Sequence, residues 1–249
     1  MRDRTYPTII RTAKVLFRAL DLRFQLSGTH HIPTTGGALL AINHISYVDF
    51  VLAGYAAVPI KRVVRFMAKK EIFDHRIAGP VMRSMHHIPV DRGQGVGSFH
   101  HAVSDLRAGE LVGIFPEATI SRSFEIKDLK SGAVRIAAEA QVPLIPVIIW
   151  GTQRLITKDH PRDFSRHKTI AISVGEPMTA HPEGAVAQTA VLRERMQAML
   201  GEVIDAYPPE EQPPGSWWLP ASRGGSAPTL ERAAEMDREE RARRATRRR

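Results

Sequence analysis

Apolar and polar positions along the chain switch between helical and strand periods, and the switching points mark the elements. From residue 7 to 26, Ile9, Ala13, Leu16, Phe17, Leu20 and Phe24 recur at helical spacing. Arg11, Lys14 and Arg18 form a basic stripe on another side, so the segment predicts one basic amphipathic helix of the kind that lies in a membrane interface. Gly36-Gly37 is a turn, and the apolar run from Ala38 to Ile42 predicts a strand over 38–43. A helix over 48–57 follows, closed by Pro59, and then a short buried strand at Val63–Met67. Lys69, Lys70 and Glu71 open a helix that runs to about Met85. The next strand ends at Arg92, and a glycine-rich turn leads into a helix with Val96, Phe99, Val103 and Leu106 on one face. Leu111–Phe115 is a further strand, and a helix begins at Lys130-Ser131-Gly132. The nearly continuous apolar run 142–150 predicts a central strand, with Pro143 and Pro146 marking an edge or bulge near its start. A charged loop over 153–167, an alternating strand at 169–174 and a helix over 185–206 complete the regular pattern.

Strands that alternate with helices define an α/β chain: a mixed, largely parallel sheet flanked by helices, preceded by the amphipathic membrane-associating helix. Three regions follow. Residues 1–27 are the interfacial helix, 28–207 the globular domain, and 208–249 a Pro- and Arg-rich tail expected to be flexible. Within that tail, Trp217-Trp218-Leu219-Pro220 reads either as a clip against the domain or as an interfacial aromatic anchor.

Candidate chemistry concentrates where predicted strands end. Asn43-His44-Ile45-Ser46-Tyr47-Val48-Asp49 joins the first internal strand to a helix. A His with a carboxylate partner is the minimal general base. Five positions on an ideal helix span roughly 140°, too far for contact, so the two side chains meet only if His44 precedes the helix and Asp49 reaches back from its first turn. Ser46 fits the N-cap of that junction. Arg92 follows a strand end, where a guanidinium suits a phosphate near a helix N-terminus. Glu117 ends another strand after Pro116, a position that opens on a cleft. Ser121 has no G-x-S-x-G setting, which argues against a serine hydrolase. The doublets His86-His87 and His100-His101 point their rings apart and do not present two ligands on one face.

Composition narrows the classes. The 249 residues contain no cysteine, which excludes disulfides, thiolate metal sites and a cysteine nucleophile. The net charge of +9 favours partners that carry phosphate. Basic residues are dispersed and no aromatic stacking platform is evident, so nucleic acid fits poorly. No apolar run reaches the roughly 18 residues of a membrane span. Arg11, Lys14 and Arg18 interrupt any signal-peptide core, and the expected location is the cytoplasmic face of a membrane, held peripherally or monotopically. One oriented His, one Arg and basic membrane-facing elements suit removal of a proton from a hydroxyl on a phosphate-bearing lipid.

Taken together, the motifs resemble those of the 1-acylglycerol-3-phosphate acyltransferase family. Its N-H-x-x-x-x-D motif is matched by Asn43, His44 and Asp49, and its second motif by Arg92. The third, typically F-P-E-G-T-R-S, is matched by Phe115, Pro116, Glu117, Thr119 and Ser121, and the fourth, V-P-x-x-P-V, by Val142, Pro143, Pro146 and Val147. All four stand in family order between about residues 40 and 150. In the third motif Ala118 replaces the usual Gly and Ile120 the usual Arg, departures that bear on the acceptor more than on the chemistry. The resemblance implies His44 and Asp49 as catalytic residues, and Arg92, Glu117, Thr119 and Ser121 as substrate-binding residues. It implies acyl transfer from acyl-CoA or acyl-carrier protein to a lysophospholipid hydroxyl at an anionic membrane surface, with no metal or other cofactor. Other lysophospholipid, glycolipid or amino-lipid acceptors keep the same chemistry. A non-catalytic basic membrane-binding module is the reading from a different class.

Overall fold

β2, Ala38–Ile42, is buried along its whole length, and its alternate side chains enter two separate cores. That strand sits in the middle of a seven-stranded sheet of order β1-β7-β6-β2-β5-β3-β4 in the computed structural model, which describes residues 5–91 and 95–246. The other strands are β1 (Arg23–Ser27), β3 (Val64–Lys69), β4 (Ile88–Val90), β5 (Leu111–Ile114), β6 (Leu144–Trp150) and β7 (Thr169–Val174). All neighbours are parallel except β6 and β7. Leu39 and Ala41 face a core shared with α5 (Gly95–Arg107), α6 (Gly132–Ala140) and α7 (Ala185–Ala206). Ala38, Leu40 and Ile42 face the opposite core, covered by α1 (Thr5–Ala19) and α2 (Asp49–Ala53). Such two-sided burial explains why β2 and β6 read as unbroken apolar runs.

The expected helix over 7–26 stops at Ala19, and residues 23–27 instead form β1, parallel to β7. Arg23, Phe24, Gln25, Leu26 and Ser27 alternate in exposure, a period of two that the helical stripe ending in Phe24 had absorbed. α1 is tied to the domain: the Tyr6 hydroxyl donates to Val64 O at 2.7 Å, and the Phe17 ring packs 5.3 Å from Phe24 and 6.1 Å from Tyr55. A boundary at residue 27 therefore cuts through the sheet. Likewise, the single helix expected over 69–85 is two, α3 (Lys70–Phe73) and α4 (Ala78–Ser84), interrupted before Gly79-Pro80. Pro146 lies where the β7 ladder is offset: Leu144 pairs with Met178 but Val147 with Val174, one residue more on the β7 side.

The stretch after residue 208, expected to be a flexible tail, contacts the domain as far as Glu240. Trp218, Leu219 and Ala227 join the larger core, so the Trp pair acts as the clip. α8 (Leu230–Thr246) then runs back toward the strand ends described below.

Candidate active site

β5, β2 and β6 are consecutive parallel strands, so the loops at their C-terminal ends emerge side by side at one edge of the sheet. The loop after β2 carries His44, the loop after β5 carries Glu117, and the loop after β6 carries Thr152. Ligands of open α/β sheets bind at such an edge.

The turn after β2 begins with Asn43, which is fully buried. Its side-chain amide donates to Ile149 O at 3.0 Å and its carbonyl accepts from Ile149 N at 2.7 Å. Its backbone N–H still pairs with Val147 O at 3.3 Å, and the side chain extends the β2–β6 pairing beyond that point. His44 follows, and its ring stacks 4.4 Å from that of Phe115. Asp49 opens α2 and reaches back as the spacing required. Its Oδ2 accepts from His44 Nδ1 at 2.9 Å, and from the backbone N–H groups of Ile45 and Ser46 at 2.7 Å each. The other oxygen, Oδ1, accepts from the Thr152 hydroxyl at 2.5 Å. A carboxylate with no exposed surface needs such a set of donors to offset its desolvation. A carboxylate only accepts, so the His44 ring donates from Nδ1 and keeps the Nε2 lone pair. The His44 side chain is 21% exposed while Asp49 is closed off, the arrangement of a base and its orienter.

Ser46 does not cap α2. The N-cap position is Val48, and the Ser46 hydroxyl donates to Ile156 O at 2.6 Å. Thr157 donates its hydroxyl to Ile45 O at 2.7 Å, so the loop after β6 staples the His44 turn from outside.

Glu117 is placed differently from the cleft residue expected. It is 5% exposed, and its two oxygens accept the backbone N–H groups of His44 at 2.8 Å and Lys127 at 3.2 Å. Burial pushes this carboxyl up to about 7, against the two backbone hydrogen bonds and the Lys127 charge that pull it down. Glu117 therefore holds the backbone of the base rather than facing a cleft.

Ser121 is fully buried, with its hydroxyl 3.1 Å from that of Ser123 and donating to Glu125 O at 2.8 Å. Its backbone N–H donates to His44 O at 2.7 Å, which joins the third motif to the first through backbone alone. Ser121 thus serves the shape of the site and does not offer its hydroxyl to a substrate. Thr119 is half-buried and accepts from Lys127 Nζ at 2.6 Å. Ile120, at the position of the usual arginine, is buried in the interior. Arg92 lies outside the described residues. His87, from the first histidine doublet, accepts the Phe66 N–H on Nδ1 at 2.9 Å inside the fold.

Thr152 escaped the sequence reading. Gly151-Thr152 marks a strand end in the pattern, but nothing local connects that hydroxyl to a carboxylate 103 residues earlier. The C-terminal acidic residues Asp237 and Glu240 were missed for the same reason: they meet Arg122 across 115 and 118 positions.

The family model described as Acyltransferase matches residues 23–150, from β1 to the end of β6. The chain is 30% identical over 197 residues to the 1-acyl-sn-glycerol-3-phosphate acyltransferase of Bacillus subtilis, covering 75% of this chain and 94% of that protein. It is 27% identical to the alpha form of the mouse 1-acyl-sn-glycerol-3-phosphate acyltransferase, over 77% of this chain and 67% of the mouse protein. The crystal structure of the 1-acyl-sn-glycerophosphate acyltransferase of Thermotoga maritima has the same fold, with a TM-score of 0.68 and 24% identity over 84% of this chain and 86% of that one. Fold, site and family model together define an acyltransferase. Within that class, the chain belongs to the 1-acylglycerol-3-phosphate acyltransferase family.

Proposed function

We propose that this acyltransferase moves a fatty acyl group from a thioester, acyl-CoA or acyl-carrier protein, to the free hydroxyl of 1-acylglycerol 3-phosphate, producing phosphatidic acid. The observation that carries this reading is the bond from His44 Nδ1 to the buried Asp49 carboxylate. It leaves Nε2 as the basic nitrogen. His44 takes the proton of the acceptor hydroxyl as its oxygen attacks the thioester carbonyl. The tetrahedral intermediate collapses with loss of the thiolate, and the thiolate recovers the proton from His44. The Asp49 charge stabilises the imidazolium formed between these steps.

The buried Ile120 favours a second reading, in which the same chemistry serves another lipid acceptor. α1 supports a peripheral membrane site: Val15 and Leu16 are 70% and 55% exposed beside Arg11, Lys14 and Arg18. No helix among the described residues is long and apolar enough to cross a membrane. Thiol release from palmitoyl-CoA, measured with and without lysophosphatidic acid and beside His44→Ala, tests the reading. Release that needs both the acceptor and His44 supports it. Release stimulated only by other lipids supports the second reading, and release that persists in His44→Ala overturns the mechanism.

A further inference from the structure

Three cations gather on the flank of the His44 turn. Arg122 follows Ser121, whose backbone N–H donates to His44 O. Lys127 gives its own N–H to the Glu117 carboxylate that also receives the His44 N–H. Lys158 follows Ile156 and Thr157, which hold Ser46 and Ile45. The three side chains are only 6%, 15% and 12% exposed. Lys127 Nζ also lies 2.6 Å from Thr119 Oγ1 and 3.4 Å from Ile120 O, so a positive charge stands on the very turn where Ile120 has replaced an arginine.

Three carboxylates among the described residues answer these cations. Arg122 Nε donates to Asp159 at 2.5 Å and Nη2 to Glu240 at 2.9 Å, while Nη1 binds Asp237. Lys127 Nζ is 3.2 Å from Asp237, and Lys158 Nζ is 3.1 Å from Glu240 and 3.5 Å from Asp237. Burial raises the Glu240 carboxyl, but Arg122 and Lys158 outweigh it and hold the group down at about 2.

Two of those carboxylates belong to α8. Ala233 is the one residue of that helix that is buried, so α8 is held here by charge more than by apolar packing. Without Asp237 and Glu240, Arg122 keeps its pair with Asp159, while Lys127 and Lys158 lose the ion pairs shown for them and leave two positive charges over. A phosphate monoester carries about −1.5 to −2 at neutral pH and has three acceptor oxygens.

We propose that Arg122, Lys127 and Lys158 form a binding site for a phosphate monoester, and that Asp237 and Glu240 of α8 occupy it as an intramolecular competitor. The proposal rests on and deepens the reading of the His44 site, because the segments that carry the three cations are the ones hydrogen-bonded to the His44 turn. Binding of the phosphate expels the two carboxylates and releases α8. Its exposed Arg238, Arg241 and Arg243 are then free to meet an anionic surface.

Hydrogen–deuterium exchange across residues 230–246 of the full chain tests this without depending on acyl transfer. The chain is titrated with glycerol 3-phosphate, with inorganic phosphate, and with chloride at matched ionic strength. The expected result is a saturable rise in α8 exchange, roughly tenfold beyond chloride. Lys158→Met should raise the concentration needed, and Asp237→Asn with Glu240→Gln should exchange fast before any ligand is added. Release at lower concentrations of glycerol 3-phosphate than of inorganic phosphate assigns a lipid headgroup site, and equal release assigns a general phosphate site. Exchange that is unchanged, slowed or matched by chloride overturns the proposal, even if the chain proves to be an active acyltransferase. A chain with no transferase activity but phosphate-dependent release keeps the site and removes the reading of His44.

Discussion

Asp49 Oδ2 stands 2.9 Å from His44 Nδ1, although the two residues are five apart on either side of a strand-to-helix turn. The contact exists because the same oxygen also accepts the N–H groups of Ile45 and Ser46. The carboxylate that orients the base therefore also folds the turn that carries it.

Asp49→Asn separates these two roles. An amide oxygen still accepts the Ile45 and Ser46 N–H groups, and its NH₂ faces the Thr152 hydroxyl, so the turn keeps its shape while the charge is lost. The expected outcome is a fall in kcat on the order of 10²–10⁴-fold with little change in melting temperature. His44→Ala should lose at least as much. A variant that kept wild-type kcat in a thiol-release assay would remove Asp49 from the mechanism.

Thr152→Val removes the donor to Asp49 Oδ1 and leaves a buried carboxylate oxygen short of a partner. Loss of a hydrogen bond to a charged group costs roughly 1.5–3 kcal/mol. Urea denaturation should show a destabilisation of that order. The kcat should also fall while KM for the thioester stays near the wild-type value, since Thr152 reaches the donor only through Asp49 and His44.

Glu117 gives the protein a pH-dependent stability. Its folded value of about 7 lies above the ordinary 4.5, so the stabilisation is fully present below about 4.5 and lost as the pH rises through 7. At 1.36 kcal/mol per unit the swing is about 3 kcal/mol. Glu117→Gln does not titrate. Unfolding midpoints of the two proteins, compared from about pH 5 to pH 8, should show the wild type losing stability relative to the variant. Parallel curves would show that the carboxyl titrates in its ordinary range.

Ala118 has φ of +61° at the position where the family motif carries glycine. Its side chain is exposed, so removing it sacrifices no packing. An L-residue in the left-handed region costs roughly 1–2 kcal/mol, part of which glycine gives back as chain entropy. Ala118→Gly should therefore stabilise the protein by about 1 kcal/mol, read as a raised urea midpoint with unchanged slope. A drop in stability would mean that the Ala118 methyl stiffens the turn by more than it strains it.

Much of the site was legible along the chain. The strand ends after residues 42, 114 and 150 fall within a residue of those expected, the end after 90 comes two residues before the expected Arg92, and the spacing of His44 and Asp49 correctly required a turn in which the carboxylate reaches back. Patterning misplaced what two periods could both explain. Phe24 fits the helical stripe, yet Phe24 and Leu26 alternate with polar residues in β1. It also failed where charge rather than apolar periodicity holds an element, as with α8, whose polar sequence reads as a flexible tail until Arg122, Lys127 and Lys158 are placed against it.

By itself, then, the sequence determined the alternation of strands and helices, the residues that stand at their ends, and the pairing of a base with its carboxylate. Each follows from periodicity or spacing within a few turns of chain. The tertiary structure decided the partners. It set Glu117 on the His44 backbone across 73 positions, Thr152 on Asp49 across 103, and Asp237 on Arg122 across 115. Those contacts depend on the order β6-β2-β5 in the sheet and on where α8 docks, and local patterning carries no record of either.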